Sequence, residues 1–497
     1  MYYLLKLFPE ITIKSRSVRR HMIRCLASNV RNTLRPLDPR VKVQERWDIL
    51  QVAVPEDLSP GHREEMQARL TRIPGIHEVQ AVEEVGFTGL EDIARQVVPL
   101  WQQAIAGRRF RVTAKRRGEH DFTSADMERH LGTQLLAAAP TARVDLRHAE
   151  VEVPVQVVDA RLRLIRQRWP GLGGYPLGMQ GQAMALISGG YDSPVAAWRM
   201  IRRGIKTHFL FFNLGGPEHE RGVREVTHHL WQRYSLSHRV NFISVPFEPV
   251  VAEILKTVPD SLMGVVLKRM MVRAASRIAQ RARVPALVTG DAIAQVSSQT
   301  LTNLALIDEA SSLPVLRPLL TEDKQAIIDQ ARRIDTARFA EAMPEYCGVI
   351  SRRPNTRARR DQIAEAEAGF DFGVLDAAIE AATLTRSDEL AAPPAATDAG
   401  PAEPLTLSAK EALDTDEAIS VIDIRAPHER DEAPLALPEV PRLEIPFYEL
   451  QQRAEALPDD RRYLLYCDQG VMSRLQALHL HDRGLTHFGV YRNTASR

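Results

Sequence analysis

A short apolar run followed at once by a Ser-Gly-Gly turn limits the possible folds of this chain more than any other stretch. Residues 183–187 read Ala-Met-Ala-Leu-Ile, and Ser188, Gly189, Gly190, Tyr191, Asp192 and Ser193 follow them. Glycine lets a backbone approach an anion closely, and the free N–H groups and dipole of a helix N-terminus favour phosphate. The pattern predicts a strand, a phosphate-binding loop and a helix through Arg203. It is not the G-x-x-x-x-G-K-[ST] loop, which is absent from the chain.

The segment around this loop alternates between the two kinds of secondary structure. Continuous apolar runs at residues 207–212, 241–245 and 286–289 predict strands buried on both faces. Helical patterns at 218–234, 264–283 and 322–333 separate or follow them. This order predicts a parallel sheet with crossover helices, in which ligands bind beyond the carboxyl ends of the strands.

The six-residue loop resembles the PP-loop of ATP pyrophosphatases, Ser-Gly-Gly-x-Asp-Ser. Those enzymes cleave ATP between the α- and β-phosphates and activate a carbonyl-type oxygen as its adenylate. The resemblance implies ATP and Mg²⁺ as cofactors. Asp192 is expected to support the loop or the Mg²⁺ ion rather than to act as a base, and no other residue is assigned to a metal.

Chain length, charge and cysteine content limit the number of domains and the class of protein. A chain of 497 residues predicts two to four domains. With 65 basic and 63 acidic residues, the net charge indicates no class of partner, and three cysteines exclude a disulfide scaffold. No apolar stretch is long enough to span a bilayer and no signal-peptide core is present. We therefore expect a cytoplasmic protein that does not contact membranes.

Residues 1–75 and 76–170 predict two small α+β domains rich in basic residues. The first has a βαββαβ pattern, typical of a ferredoxin-like domain, with a helix over Thr12–Leu34 that places Val18, Met22, Leu26 and Val30 on one face. Clustered cations without acids attract phosphate backbones, although such a face is as often merely solvated. The candidate RNA-binding residues are Lys14, Arg16, Arg19, Arg20, Arg108, Arg109, Arg111, Lys115, Arg116 and Arg117.

Two resemblances support the RNA-binding interpretation. The string from Glu10 to Arg16, with Val18-Arg19-Arg20, is similar to the opening of bacterial tRNA 4-thiouridine synthetases. The domain over 76–170 resembles a THUMP domain, an RNA-binding module of tRNA-modifying enzymes. The resemblances imply a tRNA partner.

Residues 171–386 are similar to the PP-loop domain of the same synthetases. On that resemblance the ATP-binding residues are Leu186, Ile187, Ser188, Gly189, Gly190, Asp192, Ser193, His208, Phe209, Lys268, Gly290 and Gln299. Read without the resemblance, Lys268 is a solvated helix charge and His208 is a core histidine. Both readings stay open at this point.

The last part of the chain carries a second chemical motif. Residues 387–404 form an Ala/Pro-rich linker, and 405–497 predict a separate small α/β domain. Within it, Cys467 follows a predicted strand at 463–466 and precedes a helix from Arg474, a setting that favours a thiolate or persulfide anion. The arrangement resembles the active loop of a rhodanese domain. Cys347, before a run of arginines, is the second candidate, and Cys25 is expected to be structural.

Together these features predict an α/β multidomain protein that resembles bacterial tRNA 4-thiouridine synthetase with a rhodanese domain. The resemblance implies adenylation of O4 of tRNA uridine 8, delivery of persulfide sulfur by Cys467, and a Cys347–Cys467 disulfide that must be reduced. Asp192, Cys347 and Cys467 are the catalytic candidates. The implied partners are tRNA and a cysteine desulfurase, and a sulfur carrier of thiazole synthesis is a further one. Two alternatives stay open: a PP-loop ligase of small molecules, and a sulfur donor for the thiazole of thiamine.

Overall fold

The computed structural model describes most of the chain as two compact units. The described residues are 1–46, 49–343, 354–391, 405–408, 411, 418–425, 427–435, 440–467 and 471–492. The first unit comprises residues 1–179 with 202–204, and the second comprises 180–201 with 205–497.

An eight-stranded sheet runs through the first unit. Its elements are β1 (Tyr2–Leu7), α1 (Pro9–Thr12), α2 (Arg16–Leu34), β2 (Lys42–Arg46), β3 (Ile49–Ala53), α3 (Pro60–Thr71), β4 (Ile76–Gly86), α4 (Leu90–Ile105), β5 (Arg109–Arg117), α5 (Ser124–Ala138), β6 (Arg143–Val144), β7 (Val151–Val158) and β8 (Arg161–Pro170). The strand order is β2-β3-β1-β4-β8-β7-β5-β6. Because β4 pairs antiparallel with both β1 and β8, the two predicted domains share one sheet.

The first long helix begins later than the sequence pattern indicated. The chain makes the short turn α1 and enters α2 only at Arg16, rather than at Thr12. Met22, Leu26 and Val30 are buried as expected. Val18 is 41 % exposed, because it lies in the first turn of α2, where no residue is buried.

The second unit begins with a six-stranded sheet. Its elements are β9 (Gln182–Leu186), α6 (Asp192–Arg202), β10 (Lys206–Asn213), α7 (Gly216–Leu230), β11 (Asn241–Pro246), α8 (Glu248–Thr257), α9 (Met263–Arg281), β12 (Leu287–Val288), α10 (Leu301–Asp308), β13 (Val315–Leu316), α11 (Lys324–Arg333), α12 (Ala337–Ala342), α13 (Arg360–Ala368), α14 (Phe372–Glu380) and β14 (Thr383–Arg386). A π-helical turn, Trp231–Ser235, follows α7.

The order of these strands fixes where a ligand can bind. The sheet order is β13-β12-β9-β10-β11-β14, and every pair is parallel except β11 with the edge strand β14. From β9 the chain proceeds to β10 and β11 on one side, and then returns to β12 on the other. The carboxyl ends of β9 and β12 therefore flank a topological switch point, where open α/β sheets bind ligands.

The expected linker over 387–404 is partly built into the second unit. Ser387 is fully buried, its N–H donates to the Val240 carbonyl at 2.9 Å, and its hydroxyl accepts from the Val240 N–H at 3.1 Å. These bonds satisfy buried backbone groups, so the packed part extends beyond the last strand, β14, as far as the buried Leu390. Residues 392–404 of the expected linker lie outside the described residues.

The C-terminal part contains a separate five-stranded sheet. Its elements are β15 (Thr406–Ser408), β16 (Ile419–Asp423), α15 (Pro427–Glu432), β17 (Arg442–Glu444), α16 (Phe447–Arg453), β18 (Arg462–Tyr466), α17 (Val471–Asp482) and β19 (Phe488–Arg492). The order is β15-β19-β18-β16-β17, with all pairs parallel. The helix after Cys467 begins at Val471 rather than at Arg474, so only a short connection separates it from β18.

Candidate nucleotide site and cysteine loop

The predicted phosphate loop lies between β9 and α6, at the switch point of the sheet. The hydroxyl of Ser193 accepts the Ser188 N–H at 2.8 Å and lies 2.9 Å from the Ser188 hydroxyl, which closes the loop on itself. Gly290 stands directly behind it, because a Cβ there would come within 2.8 Å of the Ser193 nitrogen. The fold thus brings the loop residues and Gly290 together.

Asp192, the first residue of α6, is held by two residues that the sequence analysis did not select. The Lys324 ammonium donates to both carboxylate oxygens at 2.9 Å, and the Gln295 amide donates to one of them at 3.1 Å. Lys324 also lies 5.7 Å from the Tyr191 ring. A cation is disfavoured by the dipole at the first position of a helix. Lys324 at the start of α11 is therefore a signal in the sequence that could have been noticed.

Lys268 and Gln299 meet at a third unselected residue, Asp291. The Asp291 carboxylate accepts from Lys268 at 2.7 Å, from Thr289 at 2.7 Å, from Gln299 at 3.1 Å and from Arg317 at 3.2 Å. Burial alone would raise the pKa of Asp291, but the charges and hydrogen bonds of these partners, led by Lys268, hold that pKa well below its usual range. Lys268 is therefore an ordered part of the site rather than a solvated charge.

Gln299 retains an acceptor for a ligand. Its side-chain nitrogen bonds Asp291, whereas its Oε1 is buried without a hydrogen-bond partner among the described residues. Gln295 has the same property. Two buried amide oxygens at the end of β12 can therefore accept hydrogen bonds from a bound molecule.

His208 and Phe209 are not brought to the loop. His208 pairs in register with Met184, two residues before the end of β9, and its ring nitrogens bond Gln182 at 2.9 Å and the Asn241 N–H at 3.1 Å. Gln182 and Asn241 both lie at amino ends of strands, on the side of the sheet away from the loop. Burial, helped by the nearby Lys206, lowers the pKa of His208 to about 4. It is a neutral core histidine.

The other candidates near the ends of β9 and β10 show why His208 does not reach the nucleotide site. Phe209 has no exposed surface and sits inside the sheet. Leu186 is half-buried, and Ile187 is buried with its N–H donated to Leu210 at 2.8 Å, so both stay at the loop as expected. The residues of β10 nearest the ligand side are its last ones, Phe212 and Asn213.

Cys467 follows β18 at the carboxyl edge of the C-terminal sheet. Its Sγ accepts the Ser473 N–H of α17 at 3.4 Å, as expected for a thiol at a helix N-terminus. Asp423, the register partner of Tyr466, forms a buried ion pair with Arg425 at 2.6 Å beside this edge. Residues 468–470 lie outside the described residues.

Of the other two cysteines, the structure describes Cys25 alone. Cys25 lies on α2 with its thiol 3.4 Å from the Leu177 carbonyl, and burial raises its pKa despite a smaller opposite effect of Asn29. A half-buried thiol of raised pKa is poorly reactive, which agrees with a structural role. Cys347 lies outside the described residues.

The basic candidates of the first unit are surface residues, and some of them are neutralised. Lys14, Arg16, Arg20, Arg108, Lys115, Arg116 and Arg117 are exposed. Arg109 pairs with Asp145 and Glu150 at 3.8 and 3.6 Å, and Arg111 pairs with Glu152 at 3.4 Å. Arg19, half-buried, donates to the Thr12 carbonyl at 3.2 Å. Lys115 and Arg117, by contrast, form no ion pair within the described part of the chain.

Neither a metal-binding cluster nor a membrane-spanning helix is present among the described residues. No group of three or more His, Cys, Asp or Glu side chains among them could hold a metal ion. Among the helices that the structure describes, none has the length and apolar character needed to cross a bilayer.

Comparison with known proteins gives matches along most of the chain. The profile of a family described as "Thiamine biosynthesis protein (ThiI)" matches residues 178–372, "THUMP domain" matches 87–164, and "ThiI ferredoxin-like domain" matches 3–79. The tRNA sulfurtransferase of Klebsiella pneumoniae subsp. pneumoniae is 47 % identical over 492 residues, which are 99 % of this chain and 100 % of that one. The tRNA sulfurtransferase of Yersinia pestis is 47 % identical with the same coverage.

A solved structure shares the fold. A 4-thiouridine synthetase in complex with RNA and bound ATP aligns with a TM-score of 0.66 at 24 % identity, covering 78 % of this chain and 99 % of that one.

Proposed function

The chain belongs to the family of tRNA sulfurtransferases, and on that premise we propose that it uses ATP to convert uridine 8 of tRNA to 4-thiouridine. The observation that carries the proposal is the closed loop Ser188–Ser193 with Lys324 on Asp192 and Lys268 on Asp291. It combines backbone donors, a helix N-terminus and two ammonium groups at a topological switch point. That set suits a triphosphate that must lose pyrophosphate, because such a reaction mainly needs neutralised charge.

In the first half-reaction, the uridine O4 attacks the α-phosphorus of ATP and pyrophosphate leaves. Lys324 is 43 % exposed and can turn from Asp192 to a phosphate oxygen, and the α6 N-terminus faces the same anion. The free Oε1 of Gln299 can accept a hydrogen bond from the nucleotide. The N3 proton of the uridine is released to solvent as the O4–P bond forms, and it returns to N3 when 4-thiouridine is formed.

Mg²⁺ fits this site as a companion of the phosphates. Mg²⁺ is usually bound by one or two carboxylates together with substrate phosphates and water. Asp192 is the carboxylate at the loop that could supply one ligand, once Lys324 has moved to a phosphate. The ion would neutralise charge on the departing pyrophosphate.

In the second half-reaction, the outer sulfur of a persulfide on Cys467 attacks C4, and AMP leaves. Cys347 thiolate then attacks the Cys467 sulfur, which breaks the S–S bond of the persulfide and leaves the outer sulfur on C4. A Cys347–Cys467 disulfide remains, and a dithiol reductant must donate two electrons before the next cycle. A cysteine desulfurase would supply the persulfide sulfur. The Ser473 N–H on the Cys467 Sγ supports an anionic sulfur there.

The products formed from ATP distinguish this reaction from other ATP-dependent reactions. With tRNA and a persulfide donor, the full chain should form AMP and pyrophosphate, one of each per 4-thiouridine. Asp192→Asn should lose this activity, whereas Asp329→Asn should keep it, because the contacts of Asp329 among the described residues are with Gln325 and Arg332 on the surface of α11. Formation of ADP and phosphate would refute the proposal.

We propose a second role as sulfur donor for the thiazole of thiamine, which is supported by the match to a family of thiamine biosynthesis proteins. This role would need Cys467 and no adenylated tRNA. The full-length Asp192→Asn variant should then restore thiamine-independent growth to cells lacking the protein, while their tRNA lacks 4-thiouridine. Failure of growth would remove this role and leave the first untouched.

A further inference from the structure

Two glycines in different elements face the side chain of Met343. Gly189 belongs to the phosphate loop and Gly222 to α7. A Cβ added at Gly222 would lie 2.5 Å from the Met343 sulfur, and one added at Gly189 would overlap the sulfur and the terminal methyl group. Neither glycine has a positive φ, so the backbone does not require glycine at either place. Met343 thus fills a notch that exists because both residues lack a Cβ.

Gly222 lowers the stability of α7 relative to alanine, and the notch for Met343 explains why glycine is needed there. Glycine inside a helix is less stable than alanine by about 1 kcal/mol, and Gly222 lies in the second turn of α7. By contrast, a Cβ added at Gly264 in α9 would meet nothing within 4 Å. Helix stability alone would favour alanine at 222, and the space taken by Met343 opposes it.

The helix that leads to Met343 is attached to α7 at a second place. The Phe339 ring, in α12, lies 5.2 Å from the His229 ring near the end of α7. His229 and Gly222 are separated by about 10 Å along the helix, at 1.5 Å per residue. α12 therefore follows α7 back toward the loop, and Met343 makes its contact at the loop end.

The start of α12 is fixed as well. Asp335 has a φ of 61°, which is unusual for a residue other than glycine. Its carboxylate lies 3.0 Å from Arg233 and 3.5 Å from Arg338. The turn that directs α12 toward the phosphate loop is thus held by ion pairs on both sides.

We propose that Met343 is a positioning residue for the sulfur-transfer step, and this rests on the proposed function. Cys347 follows Met343 by four residues in the sequence. Met343 in the notch fixes the start of the chain that leads to Cys347 against the loop that holds ATP. The flexible thioether suits this contact, since it adapts to irregular gaps.

Separate measurement of the two half-reactions distinguishes this positioning role from a general structural role of Met343. Protein loaded with persulfide is mixed with ATP and tRNA for a single turnover, and pyrophosphate and 4-thiouridine are measured separately. Met343→Ala should release pyrophosphate within twofold of the wild-type rate, but form 4-thiouridine at least tenfold more slowly. Gly222→Ala should do the same, because the added methyl group displaces Met343. The double variant should be no slower than either single one.

Two controls accompany these variants. Met343→Leu keeps the volume of the side chain and should restore most of the 4-thiouridine rate. Gly264→Ala should match wild type in both measurements. A normal 4-thiouridine rate in Met343→Ala, a parallel loss of pyrophosphate release, or additive effects in the double variant would each overturn the role of Met343. Absence of pyrophosphate from wild type would instead overturn the proposed function.

Discussion

Lys324 shows how a single residue can be placed by the fold and missed by the sequence. It lies 132 positions from Asp192, yet its ammonium touches both oxygens of that carboxylate at 2.9 Å. Asp291 is similar, since two of its partners, Lys268 and Arg317, lie 23 and 26 positions from it in the chain. No local pattern encodes such contacts, because they form only when the parallel strands align. The contiguous loop Ser188–Ser193, by contrast, could be predicted from its own spacing.

Replacing Lys324 tests whether its charge serves the leaving pyrophosphate. Lys324→Gln should slow pyrophosphate release about 100-fold, as loss of one charge-stabilising donor commonly does, with little change in tRNA affinity. Lys256→Gln is the matched control, because Lys256 is exposed and its one ion pair among the described residues is with Glu253 at 3.6 Å. A Lys324→Gln variant that releases pyrophosphate at the wild-type rate would show that this lysine only anchors Asp192.

His208 was misassigned because its position in the strand decides its role. The pattern predicted the strand correctly, but the register puts His208 level with Met184, below the end of β9 and well before the end of β10 at Asn213, with both ring nitrogens bonded inside the protein. A residue type and an approximate position do not give that register.

The same burial predicts a pH dependence of stability. The pKa of His208 is about 4 in the folded protein and near 6.5 when unfolded, so the unfolded state binds more protons between these values. Stability should therefore fall as pH drops from 6.5 to 4.5, by about 2 kcal/mol from this residue. His208→Gln should lose part of this dependence. The measurement is thermal unfolding of both proteins at pH 4.5, 5.5 and 6.5, and equal slopes would contradict the assignment.

At the scale of elements, strand-to-helix connections were predicted best. Both chemical motifs lie where a buried parallel strand meets a helix N-terminus, and the pattern changes there from an apolar run to a helical period. Helix starts were less certain: α2 begins at Arg16, where the Ser15 side chain forms no capping hydrogen bond, and α17 begins at Val471. The edge strand β14 was not predicted, since Thr383–Arg386 is mostly exposed and contains no buried run.

The cysteine connection after β18 gives a prediction at this scale. Cys467→Ser should abolish acceptance of labelled sulfur from a desulfurase, since the attacking species must be a thiolate. Cys347→Ser should accept sulfur but fail in repeated tRNA thiolation. Cys25→Ser is the control and should keep both activities. A Cys347→Ser protein that turns over normally, or a wild-type digest without a Cys347–Cys467 crosslink, would show that Cys347 is not the resolving thiol.

At the scale of the whole molecule, the continuous sheet of the first unit was the feature least visible in the sequence. The pattern indicated two α+β domains, and the cores are indeed separate, one around Leu26 and Leu50 and the other around Phe110 and Leu131. The eleven residues of β4 nevertheless pair with β1 over one part and with β8 over an overlapping part. Pairing between distant strands is a long-range choice that local periodicity does not report.

The alternation of side chains along β5 places its basic residues on different faces of this sheet. Phe110, Val112 and Ala114 point into the core against α4 and α5, so the alternating Lys115 and Arg117 belong to the opposite face. If tRNA binds that face, log–log plots of affinity against salt should lose about 1.5 units of slope in Lys115→Ala/Arg117→Ala, at about 0.7–0.9 per phosphate contact. Arg95→Ala/Arg129→Ala is the control, because those exposed arginines lie on the helices and pair with Asp92 and Asp126. Filter binding from 50 to 300 mM salt measures both slopes, and equal losses in the two variants would mean that the contacts are not confined to this face.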